Sequence, residues 1–145
     1  MDHPKMPRPK GYENYEFPFT VKKPWGKEVW LELWQGPKGH GYCYKRIYIK
    51  SGTKTSFQYH SRKIETNYII KGRAEVWLEN DSGEIIKKMM KIGDSFTVIP
   101  PKKHRIIAKT DVILQEVSTP DVDDVIRLQD DSGRGHGRIE SEHKR

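Results

Sequence analysis

The chain has 145 residues, 34% of them hydrophobic, and a formal net charge of +7 at pH 7; this length fits one domain with a modest core and leaves little room for a second. No apolar run approaches the roughly 20 residues of a membrane span, and no signal-peptide core is visible. The single cysteine, Cys43, excludes an intramolecular disulfide. We therefore expect a cytoplasmic protein that does not act at a membrane.

The positive charge is spread along the chain, because lysines and arginines are scattered among aspartates and glutamates and form no long run. The sequence has no zinc-finger spacing and no aromatic–basic motif of the kind that stacks on RNA bases. We therefore expect no specific nucleic-acid partner. A small anionic molecule, such as a sugar phosphate, suits this charge better.

Residues 1–20 predict an N-terminal arm that precedes the domain. The arm carries four aromatic residues with little else nearby in the sequence to bury them, namely Tyr12, Tyr15, Phe17 and Phe19. Exposed sheet edges and uncovered aromatic side chains both favour pairing with another chain. We therefore expect a twofold homodimer whose partner covers this arm.

Residues 21–134 form the predicted domain, and strand patterns dominate it. Alternation from Tyr42 to Lys50 predicts one strand, and the segment from Asn80 to Gly83 predicts the turn of a hairpin. Other strand-like runs follow at short intervals: TNYIIK, AEVWLE, EIIKKMM, DSFTVI, HRIIA, DVILQEV and VIRLQ. No run predicts an amphipathic helix of three turns, and residues 135–145 predict a polar tail. Many short strands indicate an all-β sandwich or barrel.

Four polar side chains have spacings that suit a metal site. Gln58 and His60 are two residues apart, so one strand directs both to the same face. Glu65 begins the next run after a short connection, and His104 follows a Pro-Pro corner where a further strand starts. Two histidines, a carboxylate and a fourth polar ligand suit one divalent ion of Mn, Fe, Co, Ni or Zn, with positions open for substrate.

These spacings resemble the two motifs of the cupin superfamily. Gly52 is followed by five residues, then Gln58-Tyr59-His60, four residues, Glu65, six residues and Gly72; the glutamine stands where cupins usually have a first histidine. Gly93 and His104 match the ends of the second motif, although Ile99 and Pro101 replace its usual Pro and Gly. The resemblance implies an RmlC-like jelly roll, which is a double-stranded β-helix barrel.

Further segments narrow the resemblance to one cupin family. The chain from Lys22 to Arg134 resembles the cupin domain of type II mannose-6-phosphate isomerases, which often follows a GDP-mannose pyrophosphorylase domain. The matching segments are KPWG at 23–26, KRI at 45–47, the Gln-x-His pair and DVIRLQDDSGR at 124–134. The chain departs from the family at Thr66, where a histidine is common, and at Ser132, where a tyrosine is common. It also lacks the pyrophosphorylase domain.

The resemblance implies a metal-dependent isomerase that interconverts aldose and ketose phosphates, such as mannose 6-phosphate and fructose 6-phosphate. The metal would polarise the sugar carbonyl as a Lewis acid, and a base would move a proton between C1 and C2. Two alternatives stay open. One is a non-catalytic cupin that binds a metal and a sugar; the other is a cupin epimerase or lyase that acts on another small polar substrate.

Candidate catalytic residues follow partly from strand parity. Lys45 shares a face with Cys43 and Ile47, so it is a candidate base or phosphate ligand inside the barrel. The alternative is that the tyrosine face of this strand points inward and Lys45 lies at the surface. Glu116 shares parity with Leu114 and is a candidate interior carboxylate with a catalytic role.

Two further candidates depend on the resemblance and on residue type. Arg134 matches the terminal arginine of the family, which implies a role in binding phosphate or stabilising the enediolate; the alternative is an arginine in a solvated tail. Trp25 is a candidate for stacking on the sugar, and its alternative role is packing in the core.

Overall fold

The computed structural model describes residues 5–143, which form eleven β-strands and two 3-10 turns. The 3-10 turns are Pro37–Gly39 and Glu140–His143. The strands are β1 Phe19–Lys23, β2 Gly26–Gln35, β3 Gly41–Ile49, β4 Phe57–Tyr59, β5 Glu65–Lys71, β6 Arg73–Glu79, β7 Ile85–Lys91, β8 Ser95–Val98, β9 His104–Ala108, β10 Val112–Ser118 and β11 Ile126–Gln129. No helix within this part of the chain is long and apolar enough to cross a membrane.

The strands form two antiparallel sheets, which confirms the predicted all-β class. One sheet has six strands in the order β1-β2-β3-β10-β5-β8, and the other has five in the order β11-β4-β9-β6-β7. The predicted hairpin joins β6 to β7, and the Asn80 side chain accepts hydrogen bonds from the amides of Ser82 and Glu84 in its turn. Asx contacts of this kind favour a tight turn over continued extension.

Glycine is needed where the chain passes from one sheet to the other. Gly72 lies between β5 of the six-stranded sheet and β6 of the five-stranded sheet, with a φ of 86°. A Cβ at this position would lie 2.0 Å from the carbonyl oxygen of Asp111. Only glycine combines this backbone conformation with so close an approach.

The core lies between the two sheets and follows the alternation of the strands. Strand β3 buries Cys43, Lys45, Ile47 and Ile49, whereas the tyrosines of the strand point outward. This observation decides between the two predicted orientations of β3: Lys45 is on the inner face and only 4% exposed. The larger apolar cluster contains thirteen buried residues drawn from both sheets and includes Trp25.

The N-terminal arm packs on the barrel of its own chain, so the premise that no other part of the chain buries its aromatic residues is wrong. Tyr12 is 1% exposed and Phe19 is 5% exposed, and both belong to a second apolar cluster with Trp30 and Leu33. The Tyr12 hydroxyl donates a 2.5 Å hydrogen bond to Asp123. The homodimer stays a prediction, but the arm no longer supplies a reason for it.

The C-terminal segment also lies against the barrel. Its 3-10 turn contacts β1, and the carboxylate of Glu142 accepts a 2.8 Å hydrogen bond from Lys23. Glu142 is buried, although the sequence predicted only a polar tail over 135–145. Residues 1–4 of the predicted arm and 144–145 of the predicted tail lie outside the described residues. The proposed domain boundaries stay a prediction.

Burial of Tyr12 within the chain leads to a stability prediction. Tyr12→Ala should lower the free energy of unfolding by about 3 kcal/mol, because it removes a buried ring and the hydrogen bond to Asp123. Chemical denaturation measures this change, and Glu16→Ala, at an exposed position of the same segment, is the control. Equal stability of the two variants would show that the arm does not pack on the barrel.

Candidate metal centre

Three of the four predicted metal ligands meet inside the barrel. His60 follows β4, Glu65 begins β5 and His104 begins β9, and all three are at most 5% exposed. Glu65 Oε1 lies 2.8 Å from His60 Nε2 and 3.4 Å from His104 Nε2. One ligand atom from each residue lies within 4.8 Å of the others, so the group could hold a metal ion.

Hydrogen bonds behind these side chains fix which ring nitrogens face the centre. His60 Nδ1 lies 2.6 Å from the carbonyl oxygen of Asp124, and His104 Nδ1 lies 3.1 Å from that of Lys102. A carbonyl only accepts, so each Nδ1 carries a proton, and each Nε2 faces the Glu65 carboxylate as the ring atom that is placed to bind a metal. Asn67 donates a 3.1 Å hydrogen bond to the second oxygen of Glu65.

Gln58, the predicted fourth ligand, lies beside the same group. Its residue pairs directly with His104 between β4 and β9, and its Nε2 is 3.4 Å from His104 Nε2. Its oxygen accepts a 2.5 Å hydrogen bond from Ser56. A rotation of the amide by 180° would present the oxygen to the centre, and an amide nitrogen is not a metal ligand. Ligation by Gln58 stays a prediction.

A row of buried charges adjoins the metal group on the inner face of the six-stranded sheet. Lys63 Nζ lies 3.3 Å from Glu116, Lys45 Nζ lies 3.9 Å from Glu116, and Lys45 Nζ lies 3.3 Å from Glu28. The Trp30 indole donates a 2.8 Å hydrogen bond to Glu28. All four charged side chains are 9% exposed or less. The predicted candidates Lys45 and Glu116 thus lie together in the interior.

The protonation of this interior follows from burial and from the order of the charges. Burial opposes ionisation of Glu28, but Lys45 and Lys23 outweigh it and lower the pKa of Glu28 to about 2. Burial also opposes ionisation of Glu65, yet Lys63 and the histidines hold its pKa well below the ordinary value. Burial and the Glu65 carboxylate together raise the pKa of Glu116. Of the neighbouring carboxyl groups of Glu65 and Glu116, that of Glu116 therefore retains its proton more readily.

Burial favours the uncharged forms of His60 and Cys43. Burial lowers the pKa of His60, although Glu65 acts in the opposite direction. A neutral imidazole is the form that binds a metal. Burial also raises the pKa of Cys43 to about 11, which fits the inert buried thiol expected of an isolated cysteine.

The remaining predicted residues, Arg134 and Trp25, line the same cavity. Arg134 is not in a solvated tail, because its side chain is 9% exposed and forms ion pairs with Asp130 at 3.0 Å and Glu142 at 3.2 Å. Trp25 belongs to the core cluster and also lines the cavity. The catalytic and substrate-binding roles of Lys45, Glu116, Arg134 and Trp25 stay predictions.

The cavity has a volume of about 100 Å³, enough for several water molecules. Sequence reasoning missed several charged residues of its wall, among them Lys23, Glu28, Lys63 and Arg127. Lys63 lies in the short connection SRKI, where strand parity gives no direction. Arg127 lies within the DVIRLQDDSGR segment. Its position opposite Gln58 depends on the pairing of β11 with β4, which the sequence alone does not show.

Comparison with known proteins gives one family match and several structural neighbours. Residues 10–130 match the model of the family described as the mannose-6-phosphate isomerase C-terminal domain. No curated protein matches the chain. An RmlC-like cupin from Shewanella frigidimarina superposes with a TM-score of 0.59 at 22% identity, over 79% of this chain and 95% of that chain.

Two longer neighbours share the fold at lower identity. The W96F variant of oxalate decarboxylase from B. subtilis gives a TM-score of 0.66 at 16% identity, over 77% of this chain and 30% of that one. The capsular polysaccharide assembling protein CapF from Staphylococcus aureus gives 0.61 at 15% identity, over 84% and 37%. This chain spans only 20% to 33% of several such proteins. The likenesses confirm the predicted cupin jelly roll and show the fold alone.

The His60–Glu65–His104 group leads to a metal-binding prediction. His60→Ala and His104→Ala should each weaken binding of Mn²⁺ or Zn²⁺ by at least about 100-fold, because even residues behind metal ligands change affinity by about 10- to 100-fold. Gln58→His should preserve or strengthen binding, because imidazole replaces a neutral amide. Metal titration against a competing chelator dye measures these affinities.

The matched control for the metal titration is His40→Ala, because His40 is exposed and lies outside the cavity. It should bind metal as the wild type does. Equal affinities for the wild type and His60→Ala would remove the basis for a metal site here.

The buried charge row leads to a second prediction, on stability. Lys45→Met should lower the free energy of unfolding by about 3–5 kcal/mol at neutral pH, because it leaves Glu28 buried without its main counter-charge. The lowered pKa of Glu28 means that its ionised form stabilises the fold above pH 4.5 and that this contribution disappears as the pH falls toward about 2. The loss in Lys45→Met should therefore shrink over the same range.

Denaturation at several pH values measures the effect, with Lys22→Met, at an exposed site on β1, as the control. Adding Glu28→Gln to Lys45→Met should restore part of the lost stability, because the unpaired charge is removed. If Lys45→Met and Lys22→Met were equally stable, the ion pair would not support the fold.

Proposed function

We propose that this chain, which belongs to the family of mannose-6-phosphate isomerase C-terminal domains, is a metal-dependent isomerase that interconverts an aldose phosphate and a ketose phosphate. One observation carries the proposal. A histidine–carboxylate–histidine group and a buried carboxyl group of raised pKa lie in the same small cavity. A reaction that moves a proton beside a polarised carbonyl needs both of these elements.

The residues present fit a divalent metal. His60 and His104 each direct Nε2 toward the centre, and Glu65 presents one carboxylate oxygen. Nitrogen and oxygen donors in this number suit Mn, Fe, Co, Ni or Zn and leave positions for substrate. When bound, such an ion supplies Lewis-acid polarisation of the substrate carbonyl.

The protein's own residues supply the proton chemistry. Glu116 has a pKa raised toward neutrality by burial and by Glu65, so it can both hold and release a proton near pH 7. Lys63 lies 3.3 Å from the same carboxyl group and stabilises its ionised form after proton release. We therefore assign Glu116 to the transfer of a proton between C1 and C2 of the open-chain sugar.

Lys45 was predicted as a candidate base, and we assign it a different role. Burial opposes its charge, but Glu28 and Glu116 outweigh burial and raise the pKa of Lys45 above its ordinary value. A lysine that keeps its proton is a poor base, so we assign Lys45 to holding Glu116 and to the charge of the cavity wall. Trp25 offers an apolar surface to the sugar on the same wall.

The proposed substrate also fits a cytoplasmic protein. Phosphorylated sugars are polar anions that do not cross membranes unaided, and an unpaired cysteine suits a reducing compartment. A homodimer is part of the proposal as well. Its candidate surface is an exposed apolar group on the outer face of the six-stranded sheet: Ile64, Tyr68 and Val117.

Isomerase activity is tested with the metal-loaded protein on a panel of aldose and ketose phosphates in heavy water. We expect interconversion of one pair, with solvent deuterium incorporated at C1 or C2 because the proton passes through Glu116. Glu116→Gln should lower kcat by about 100- to 10,000-fold, the range for loss of a general acid or base. Its binding of metal should be retained, since Glu116 is not a ligand.

Glu84→Gln, at an exposed position of the β6–β7 turn, is the matched control and should keep full activity. Binding of a sugar phosphate without turnover or deuterium incorporation across the panel would reject the isomerase and favour the non-catalytic cupin. Interconversion that persists in Glu116→Gln would reject the assigned proton acceptor.

A further inference from the structure

We propose that Arg127 forms the binding subsite for the phosphoryl group of the substrate, at the side of the cavity next to Gln58. The inference rests on the proposed function, because it assigns one end of a sugar phosphate to a place in the cavity. The observation that carries it is independent of catalysis: Arg127 is half-buried and forms no ion pair with a carboxylate among residues 5–143.

Strand pairing directs Arg127 toward the metal group. Arg127 in β11 lies directly opposite Gln58 in β4, and directly opposed residues of an antiparallel pair share one face of the sheet. Both residues line the cavity. An anion held by Arg127 would therefore lie next to the histidine–carboxylate–histidine group, within the reach of a small open-chain substrate.

The guanidinium group is held from one side and is free on another. Arg127 Nη1 donates hydrogen bonds to the carbonyl oxygens of Gly135 and Gly137. Its Nε is buried and has no hydrogen-bond partner within the described part of the chain. A buried donor without an acceptor is costly, and a ligand oxygen would remove that cost.

The nearby carboxylates are already committed to other cations. Asp130 accepts three hydrogen bonds from Arg134, and Glu142 bridges Arg134 and Lys23. Burial and the positive charge of Arg134 lower the pKa of Arg127, and they outweigh the opposite effect of the Glu142, Asp130 and Glu28 carboxylates. This arrangement leaves Arg127 as the cation of the wall that an incoming anion can neutralise.

The free edge of the group selects the chemical class of the ligand. The Nε and Nη2 donors of arginine form a planar fork that matches two oxygens of a phosphate or a carboxylate. Lys23 and Arg134 line the same cavity, but Glu142 and Asp130 offset their charges, so the three cations, Arg127 included, and the two carboxylates leave a net charge of +1. A phosphate dianion interacts with this net positive charge more strongly than a singly charged carboxylate does.

The segment that positions Arg127 lies outside the part of the chain that matches the family. Gly135 and Gly137 lie beyond residue 130, where the match to the family ends. The same segment carries Arg134 and Glu142, which tie it to the barrel through ion pairs with Asp130 and Lys23, respectively. Arg127 is thus placed for an anion by residues that follow the matched domain.

The subsite is tested with inorganic phosphate, the full chain and no metal, so that phosphate cannot bind an ion. Isothermal titration should show millimolar or tighter binding to the wild type and clearly weaker binding of acetate. Arg127→Gln should weaken phosphate binding by about tenfold to 100-fold, as expected for a lost pair of charge-assisted hydrogen bonds. Arg127→Lys should fall between the two, because the charge stays and the fork is lost.

Arg73→Gln is the matched control, since Arg73 is exposed and does not line the cavity. Thermal unfolding checks that each variant folds. If Arg127→Gln does not fold, Arg127→Lys takes its place in the comparison with the wild type. The proposal is overturned if the wild type binds no phosphate, or if the folded Arg127 variant binds it within about twofold of the wild type.

The result also separates this inference from the proposed function. Phosphate binding that depends on Arg127, without isomerase turnover, keeps the subsite and rejects the isomerase. Turnover in the Arg127 variant with an unchanged KM rejects the subsite and keeps the isomerase. An Arg127-dependent rise in KM that exceeds the fall in kcat supports both.

Discussion

The barrel interior is organised by the need to pair buried charges. Acidic and basic side chains alternate across the interior in the order Glu28 on β2, Lys45 on β3, Glu116 on β10, Lys63 in the β4–β5 connection and Glu65 on β5. Removing a charge from water costs several kcal/mol, and only close opposite charge offsets that cost. Lys45 in β3 lies directly opposite Glu116 in β10, and a shift of either strand by one residue would turn its charged side chain outward and break the pair, so this pairing favours the observed register.

The metal group adds a second constraint, because its members come from both sheets. Gln58 and His104 belong to strands of the five-stranded sheet, whereas Glu65 belongs to the six-stranded sheet. An ion bound by this group would connect the two layers across the core. Metal binding would then stabilise the packing of the sheets as well as the site itself, since binding to the folded state alone shifts the folding equilibrium.

Strand parity predicted most of the inner face, and its failures share a physical cause. His60, Lys45 and Glu116 were placed from local alternation, which needs no knowledge of distant partners. Lys63 and Arg127 were missed because a short connection and a displaced edge strand acquire their direction from tertiary pairing. Tyr12 was expected to be covered by a partner chain because the residues that it contacts, Trp30 and Asp123, are far away in the sequence. The sequence predicted the metal-ligand types of the centre better than it predicted which segments enclose the cavity.

The cavity draws its metal group from the ends of β4, β5 and β9 and part of its wall from the C-terminal segment after residue 130. The two parts meet through hydrogen bonds, among them those of Arg127 to Gly135 and Gly137. Insertions or replacements in a terminal segment leave the register of the inner strands unchanged. Barrels of this kind can therefore come to bind different molecules when their terminal segments change, while the residues of the metal group stay the same.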